Sequence, residues 1–171
     1  LQEAGYARTT ISRKLASLRS FYRFAQRQGI AKSNPAKPLR NPRRQRKLPH
    51  VLSTEEVGRL LAAPPSLDPA GLRDRAILET MYSAGLRVSE VVGLSDGDLD
   101  FDEQITRVRG KGRKERISPL GSYAIDAITQ YKRQRTRHTT EESKGRDAAV
   151  FVNRFGNRLT TRSVGRMLEK Y

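Results

Sequence analysis

Residues 31–50 read AKSNPAKPLRNPRRQRKLPH, with seven Lys or Arg, four Pro and no acidic residue. Proline fixes φ and removes a backbone donor, so a stretch this rich in it can neither continue a helix nor enter the interior of a sheet. The chain must therefore fold separately on either side of it. The stretch itself is expected to be an extended linker. Its unopposed charge makes Arg43, Arg44, Arg46 and Lys47 candidates for a strap lying along phosphates, with a merely solvated linker as the alternative.

Before the linker, Ile11, Leu15, Leu18, Tyr22 and Ala25 recur at helical spacing and Gly29 supplies a left-handed stop, which predicts one amphipathic helix over 10–28. Arg13, Arg23 and Arg27 gather on its opposite face, with Lys14 and Arg19 on the flanks. A solvated face explains such a pattern as readily as a binding face.

After the linker, the capping box beginning at Ser53 opens a helix with Val57, Leu60 and Leu61 inward, ended by Pro64 and Pro65. An apolar helix is expected over 72–84, stopped by Gly85, and a short one over 87–94 through Val88, Val91 and Val92. Runs at 99–101, 105–109 and 116–120 are β-prone with turn signals between them, predicting a small antiparallel sheet. Ala124, Ala127, Ile128 and Tyr131 return to helical spacing, 149–152 reads as a strand or extended segment, and Val164, Met167, Leu168 and Tyr171 mark a last helix. The fold class is mixed α+β, mostly helical.

Thirty-four Lys plus Arg against eighteen Asp plus Glu leave +16, which makes a polyanion the leading partner. No apolar run approaches the roughly 20 residues of a membrane span, so no membrane partner is expected. With no Cys, disulfides and thiolate metal sites are excluded, in keeping with a reducing, cytoplasmic setting.

GKGRKE has neither the spacing nor the hydroxyl residue of a phosphate-cradling loop, and Glu115 stands where a dinucleotide motif needs Gly. DGDLDFDE opens like a calcium loop but has Phe101 in place of the turn glycine and Arg107 in place of the bidentate Glu, so its acids are expected on an exposed strand and turn. His50 and His138 stand alone, and no metal site is expected.

Two positions remain as candidates for chemistry. Arg87 follows a helix stop and opens a new helix, where a guanidinium and backbone donors can converge on a phosphate. Glu90 lies on the same face and could orient it; a structural ion pair is the alternative. Lys111 stands between Gly110 and Gly112 at a predicted hairpin tip, from which an ammonium can reach a groove and protonate an oxygen leaving phosphorus, or simply stay exposed. Around it, Arg107, Arg109, Arg113, Lys114 and Arg116 are expected to attract a nucleic-acid backbone or to form structural pairs.

The run YSAGLRVSEVVGLSDGDLDFDEQITRVRGKGRKERISPLG resembles the first half of the catalytic domain of tyrosine-type site-specific recombinases, in their Xer-type and phage-integrase branch. There GLRxSE holds a catalytic arginine and a GKGxKER hairpin holds the catalytic lysine, which maps these roles to Arg87 and Lys111, with Glu90 as the orienting candidate. TISRKLASLRSFYRFAQRQG resembles the end of the family's helical core-binding domain, making Arg13, Lys14 and Arg19 DNA-contact candidates, alongside Arg113 and Lys114 near the hairpin tip. The implied division is 1–30 core-binding domain, 31–50 linker and 51–171 the first part of the catalytic domain.

The resemblance implies a reaction without metal, ATP or other cofactor, in which a tyrosine attacks duplex DNA to give a 3′-phosphotyrosyl link within a tetrameric synapse. The family's HxLRH motif does not occur in these residues. Tyr171 falls before that motif's place and on the apolar side of the last helix, so it is expected to pack rather than attack. The chain is accordingly expected to be a fragment that binds DNA weakly and is inactive alone. A non-catalytic DNA-binding or regulatory module is the alternative, and an RNA-binding protein fits the charge but not the paired motifs.

Overall fold

In a computed structural model, which describes residues 5–42, 51–110, 114–135, 145 and 147–171, the chain divides into two units, Leu1–Val51 and Leu52–Tyr171. The first is built on α1 (Arg8–Arg27), which buries Ile11, Ser12, Leu15 and Ala25. Past its end Gly29 turns left-handed at φ 71°, so that the Ile30 N–H reaches the Ala25 carbonyl at 2.9 Å and the Gly29 N–H that of Gln26 at 3.1 Å. This pair of bonds satisfies carbonyls that the helix leaves open and turns the chain back. Asn34 Nδ2 then donates to the Arg19 carbonyl, and Ala36 is buried.

Leu18, expected on the buried face, is 42% exposed, beside exposed Phe21 and Phe24. The apolar face of α1 is wider than the returning segment covers. Periodicity identifies an apolar face but not how much of it finds a partner.

The second unit begins at α2 (Thr54–Ala62), where the Ser53 hydroxyl accepts the Glu56 N–H and the Glu56 carboxylate accepts the Ser53 N–H. Leu60 and Leu61 lie partly buried against the core. The next helix, α3 (Pro69–Ala84), starts earlier than the apolar periodicity implied, because Asp68 caps it by accepting the Gly71 N–H and Pro69 takes the first turn. Gly85 ends it at φ 59°, and α4 (Val88–Gly93) follows at once with Arg87 as its N-cap.

A 3-10 turn at Asp96–Asp98 leads into β1 (Leu99–Asp100), β2 (Ile105–Arg109) and β3 (Glu115–Pro119), an antiparallel sheet in the order β1-β2-β3. Val108 pairs with Arg116 and Thr106 with Ser118, and these residues share the inward face. The Gly110 N–H bonds the Lys114 carbonyl at 2.8 Å, closing the hairpin below residues 111–113.

α5 (Ser122–Arg135) lies against α3 and buries Ala124, Ala127, Ile128 and Tyr131, the four positions its spacing marked. Phe151 stacks on Tyr131 at 5.9 Å between ring centroids. The segment 149–152 forms no ladder and bends at Val150 and Phe151; single bridges tie Ala149 to Ser95 and Val152 to Arg158. The last helix, α6 (Thr161–Leu168), is capped by Thr160 and buries Val164 and Met167. Tyr171 falls beyond its end instead of within it, half-buried, with its hydroxyl donating to Asp74 Oδ2 at 3.1 Å.

The acids of 96–103 depart from the sequence expectation. Asp98 is 6% exposed, accepts the Ser95 N–H at 2.9 Å and pairs with Arg109 at 3.1 Å. Asp96 receives Lys132 at 3.1 Å and Arg135 at 2.9 Å. The turn sits where cations from β2 and α5 converge, so these carboxylates neutralise them at a half-buried corner; Asp102 and Glu103 alone fit the exposed expectation.

Candidate functional site

Gly85 and the N-cap conformation of Arg87, at φ −73° and ψ 154°, decide where the site begins. One turn into α4, Glu90 turns its carboxylate back: Oε2 accepts the Arg87 N–H at 2.8 Å, and Oε1 accepts from Arg87 Nη1 at 3.1 Å. The Glu90 side chain is only 4% exposed, whereas that of Arg87 is 78% exposed. A buried carboxylate thus holds the near side of a guanidinium whose outer edge faces solvent.

Arg116 completes the arrangement from β3. Its Nη1 and Nη2 donate to Glu90 Oε1 and Oε2 at 2.8 and 3.0 Å, a bidentate fork. The Glu90 carboxyl is held at about 2, chiefly by these Arg116 hydrogen bonds, which outweigh the opposing effect of burial; the bonds from Arg87 add to the lowering. Arg116 is the functional neighbour that sequence reasoning left among general structural pairs. Alternation along the hairpin carried the signal, since its register with Val108 turns it to the inner face.

The hairpin root adjoins the same carboxylate, because a β-carbon placed on Gly110 would lie 3.8 Å from Glu90 Oε1. Lys111, Gly112 and Arg113 themselves lie outside the described residues. Lys114 is exposed at the root. Arg109 donates through Nε to Glu115 at 3.1 Å and pairs with Asp98, so its charge is engaged within the sheet.

The remaining sequence candidates belong to the other unit or fall outside the described residues. Arg13 is exposed on α1, and the Lys14 ammonium lies 3.7 Å from the centre of the Tyr6 ring. Arg19 turns inward, donating to the carbonyls of Ala36, at 3.1 Å, and Leu39 and to Asn41. Its guanidinium fastens the segment after α1. Arg43, Arg44, Arg46 and Lys47 are not among the described residues, nor are His50 and His138. Among the described residues no group of His, Cys, Asp or Glu could hold a metal ion, and no helix is long and apolar enough to cross a membrane.

An exposed arginine locked by a buried glutamate, beside the root of a glycine-flanked lysine loop, is an arrangement suited to gripping one phosphate. The sequence agrees with that geometry: residues 50–171 match the phage integrase family, residues 1–29 match the phage integrase N-terminal SAM-like domain, and the chain belongs to this family. Within it, the chain is 43% identical over 169 residues to the tyrosine recombinase XerC of Syntrophus aciditrophicus, covering 96% of this chain and 54% of that protein. It is 41% identical over 173 residues to the XerC of Pelotomaculum thermopropionicum, covering 100% and 56%.

Among solved structures it resembles the XerA recombinase, at 27% identity and a TM-score of 0.62, over 98% of this chain and 55% of that one. The Tn1549 transposon integrase in complex with transposon right end DNA shares the fold, at 22% identity and a TM-score of 0.73, over 99% and 60%. The chain spans about half the length of the curated relatives it matches.

Proposed function

We propose that these residues are the DNA-gripping part of a tyrosine recombinase that cuts and rejoins duplex DNA through a 3′-phosphotyrosyl intermediate. The observation that carries this reading is Arg87, solvent-facing and held by buried Glu90. In it, the Arg87 guanidinium binds non-bridging oxygens of the scissile phosphate and stabilises the charge that grows there in the transition state. Lys111 donates a proton to the departing 5′-oxygen. The division 1–30 core-binding domain, 31–50 linker and 51–171 catalytic domain is part of the proposal, and the matched ranges 1–29 and 50–171 support it.

Arg13, Lys14, Lys114, Arg113 and the linker cations Arg43, Arg44, Arg46 and Lys47 serve backbone attraction, which needs charge more than fixed geometry. Arg19 does so only if its bonds to Ala36 and Leu39 open. The working form is a tetrameric synapse on two sites in the cytoplasm. Tyr171 is not the nucleophile: its hydroxyl is held by Asp74, which is 3% exposed on α3.

A nicked duplex that traps covalent protein tests the reading. The 171-residue chain should shift the duplex without forming an adduct, and Tyr171→Phe should change neither result. An adduct formed by this chain and lost in Tyr171→Phe would overturn the assignment of Tyr171. In the full-length recombinase, Arg87→Ala and Lys111→Ala should each slow cleavage by roughly 100-fold or more while changing DNA affinity little. Equal losses in cleavage and affinity would reduce both residues to anchors.

A further inference from the structure

We propose that Arg116 is a positioning residue for strand cleavage: it fixes Glu90, so that Glu90 can orient Arg87 without cancelling its charge. The inference rests on the reading above and deepens it.

Glu90 accepts four hydrogen bonds, two from Arg87 and two from Arg116, on a carboxylate that is almost wholly enclosed. A carboxylate offers about four lone-pair sites, so this one has none left over and no freedom to swing. Charge leads to the same conclusion. Two guanidinium groups share one carboxylate, which leaves one net positive charge, and Arg87 is the more exposed of the pair at 78% against 38%.

Without Arg116, Arg87 would face a buried carboxylate one to one, and that carboxylate would compete with the phosphate for its donors. A buried, unpaired negative charge is costly enough to draw the nearest cation inward. Arg116 itself does not reach for DNA in this arrangement, because both of its terminal nitrogens point at Glu90. It reaches that carboxylate from β3, where it pairs across from Val108. With Gly110 beside the same carboxylate, both strands of the hairpin meet the residue that holds Arg87.

The test is a double-mutant cycle on the full-length recombinase, read as single-turnover cleavage of a nicked duplex, with DNA affinity measured alongside. Arg116→Gln should slow cleavage by about 10- to 100-fold, the scale expected when a group far from the chemistry lets a reacting one drift. Affinity should stay within about twofold, since phosphate contacts elsewhere dominate it.

In an Arg87→Ala background, Arg116→Gln should cost less than about twofold more, because residues acting through one another are not additive. Full additivity would make Arg116 a merely structural residue and overturn the proposal. Arg116→Lys keeps the charge but loses the fork; it should fold even if Arg116→Gln does not, and should cleave more slowly than the parent. Cleavage by Arg116→Lys at the parental rate would also overturn it. If the unsubstituted recombinase forms no covalent adduct, the functional reading itself fails; if it does and the Arg116 variants match it, only this inference fails.

Discussion

Glu90 and Glu79 are buried carboxylates on neighbouring helices with opposite pH behaviour. Glu90 is held down to about 2 by its guanidinium partners. Its contribution to stability is therefore fully present above its ordinary value of 4.5 and is lost as pH falls from there toward 2. Glu90→Gln should cost about 1.5–3 kcal/mol at pH 7, the range for hydrogen bonds to charged groups. Urea unfolding of the two proteins should show the gap closing as pH falls to 3.

Glu79 is raised by burial, and its ion pair to Arg75 is long at 4.0 Å. A carboxyl raised on folding opposes the folded state once pH passes its ordinary value of 4.5. Glu79→Gln should therefore raise the melting temperature at pH 7 and leave it unchanged well below pH 4. A lower melting temperature for this variant at pH 7 would show that the Arg75 pair outweighs burial.

At the level of elements, glycine stops and caps carry most of the local instruction. Gly85 stands at φ 59° with no atom within 4 Å of where a β-carbon would sit, so Gly85→Ala meets no clash and suffers only the left-handed backbone cost. That cost is about 1–2 kcal/mol. Because this turn delivers Arg87 to its place, cleavage by the proposed full-length recombinase should fall further than the stability loss alone explains; chemical denaturation and cleavage rates measured on that full-length protein decide it.

Phe151 lies in a segment with no ladder of its own, yet it is 1% exposed and stacked on Tyr131. Phe151→Ala should cost about 3–5 kcal/mol, read from the urea midpoint. Leu18 shows the limit of element reasoning. Its spacing is that of a core residue, and it stays exposed because nothing described in its unit lies over it.

For the whole molecule, the +16 charge governs association. Each neutralised phosphate releases counterions, so log affinity for duplex DNA should fall linearly with log salt, by about 0.9 per phosphate contact. Fluorescence anisotropy over a salt series checks this, and an affinity indifferent to salt would count against DNA as the partner.

The sequence by itself determined the α5 face, the span of β2 and the turns at Gly29 and Gly85. These follow from spacing and backbone freedom, which act between near neighbours. It also marked Arg87 and Glu90 as a pair, since three residues on a helix share a face. Only the tertiary structure decided that Arg116 grips the same carboxylate, that Asp96 and Asp98 hold cations from β2 and α5, and that Tyr171 is tied to Asp74. A charged residue's sequence neighbourhood gives its face; these further partners arrive from elements distant in the chain, and packing alone brings them together.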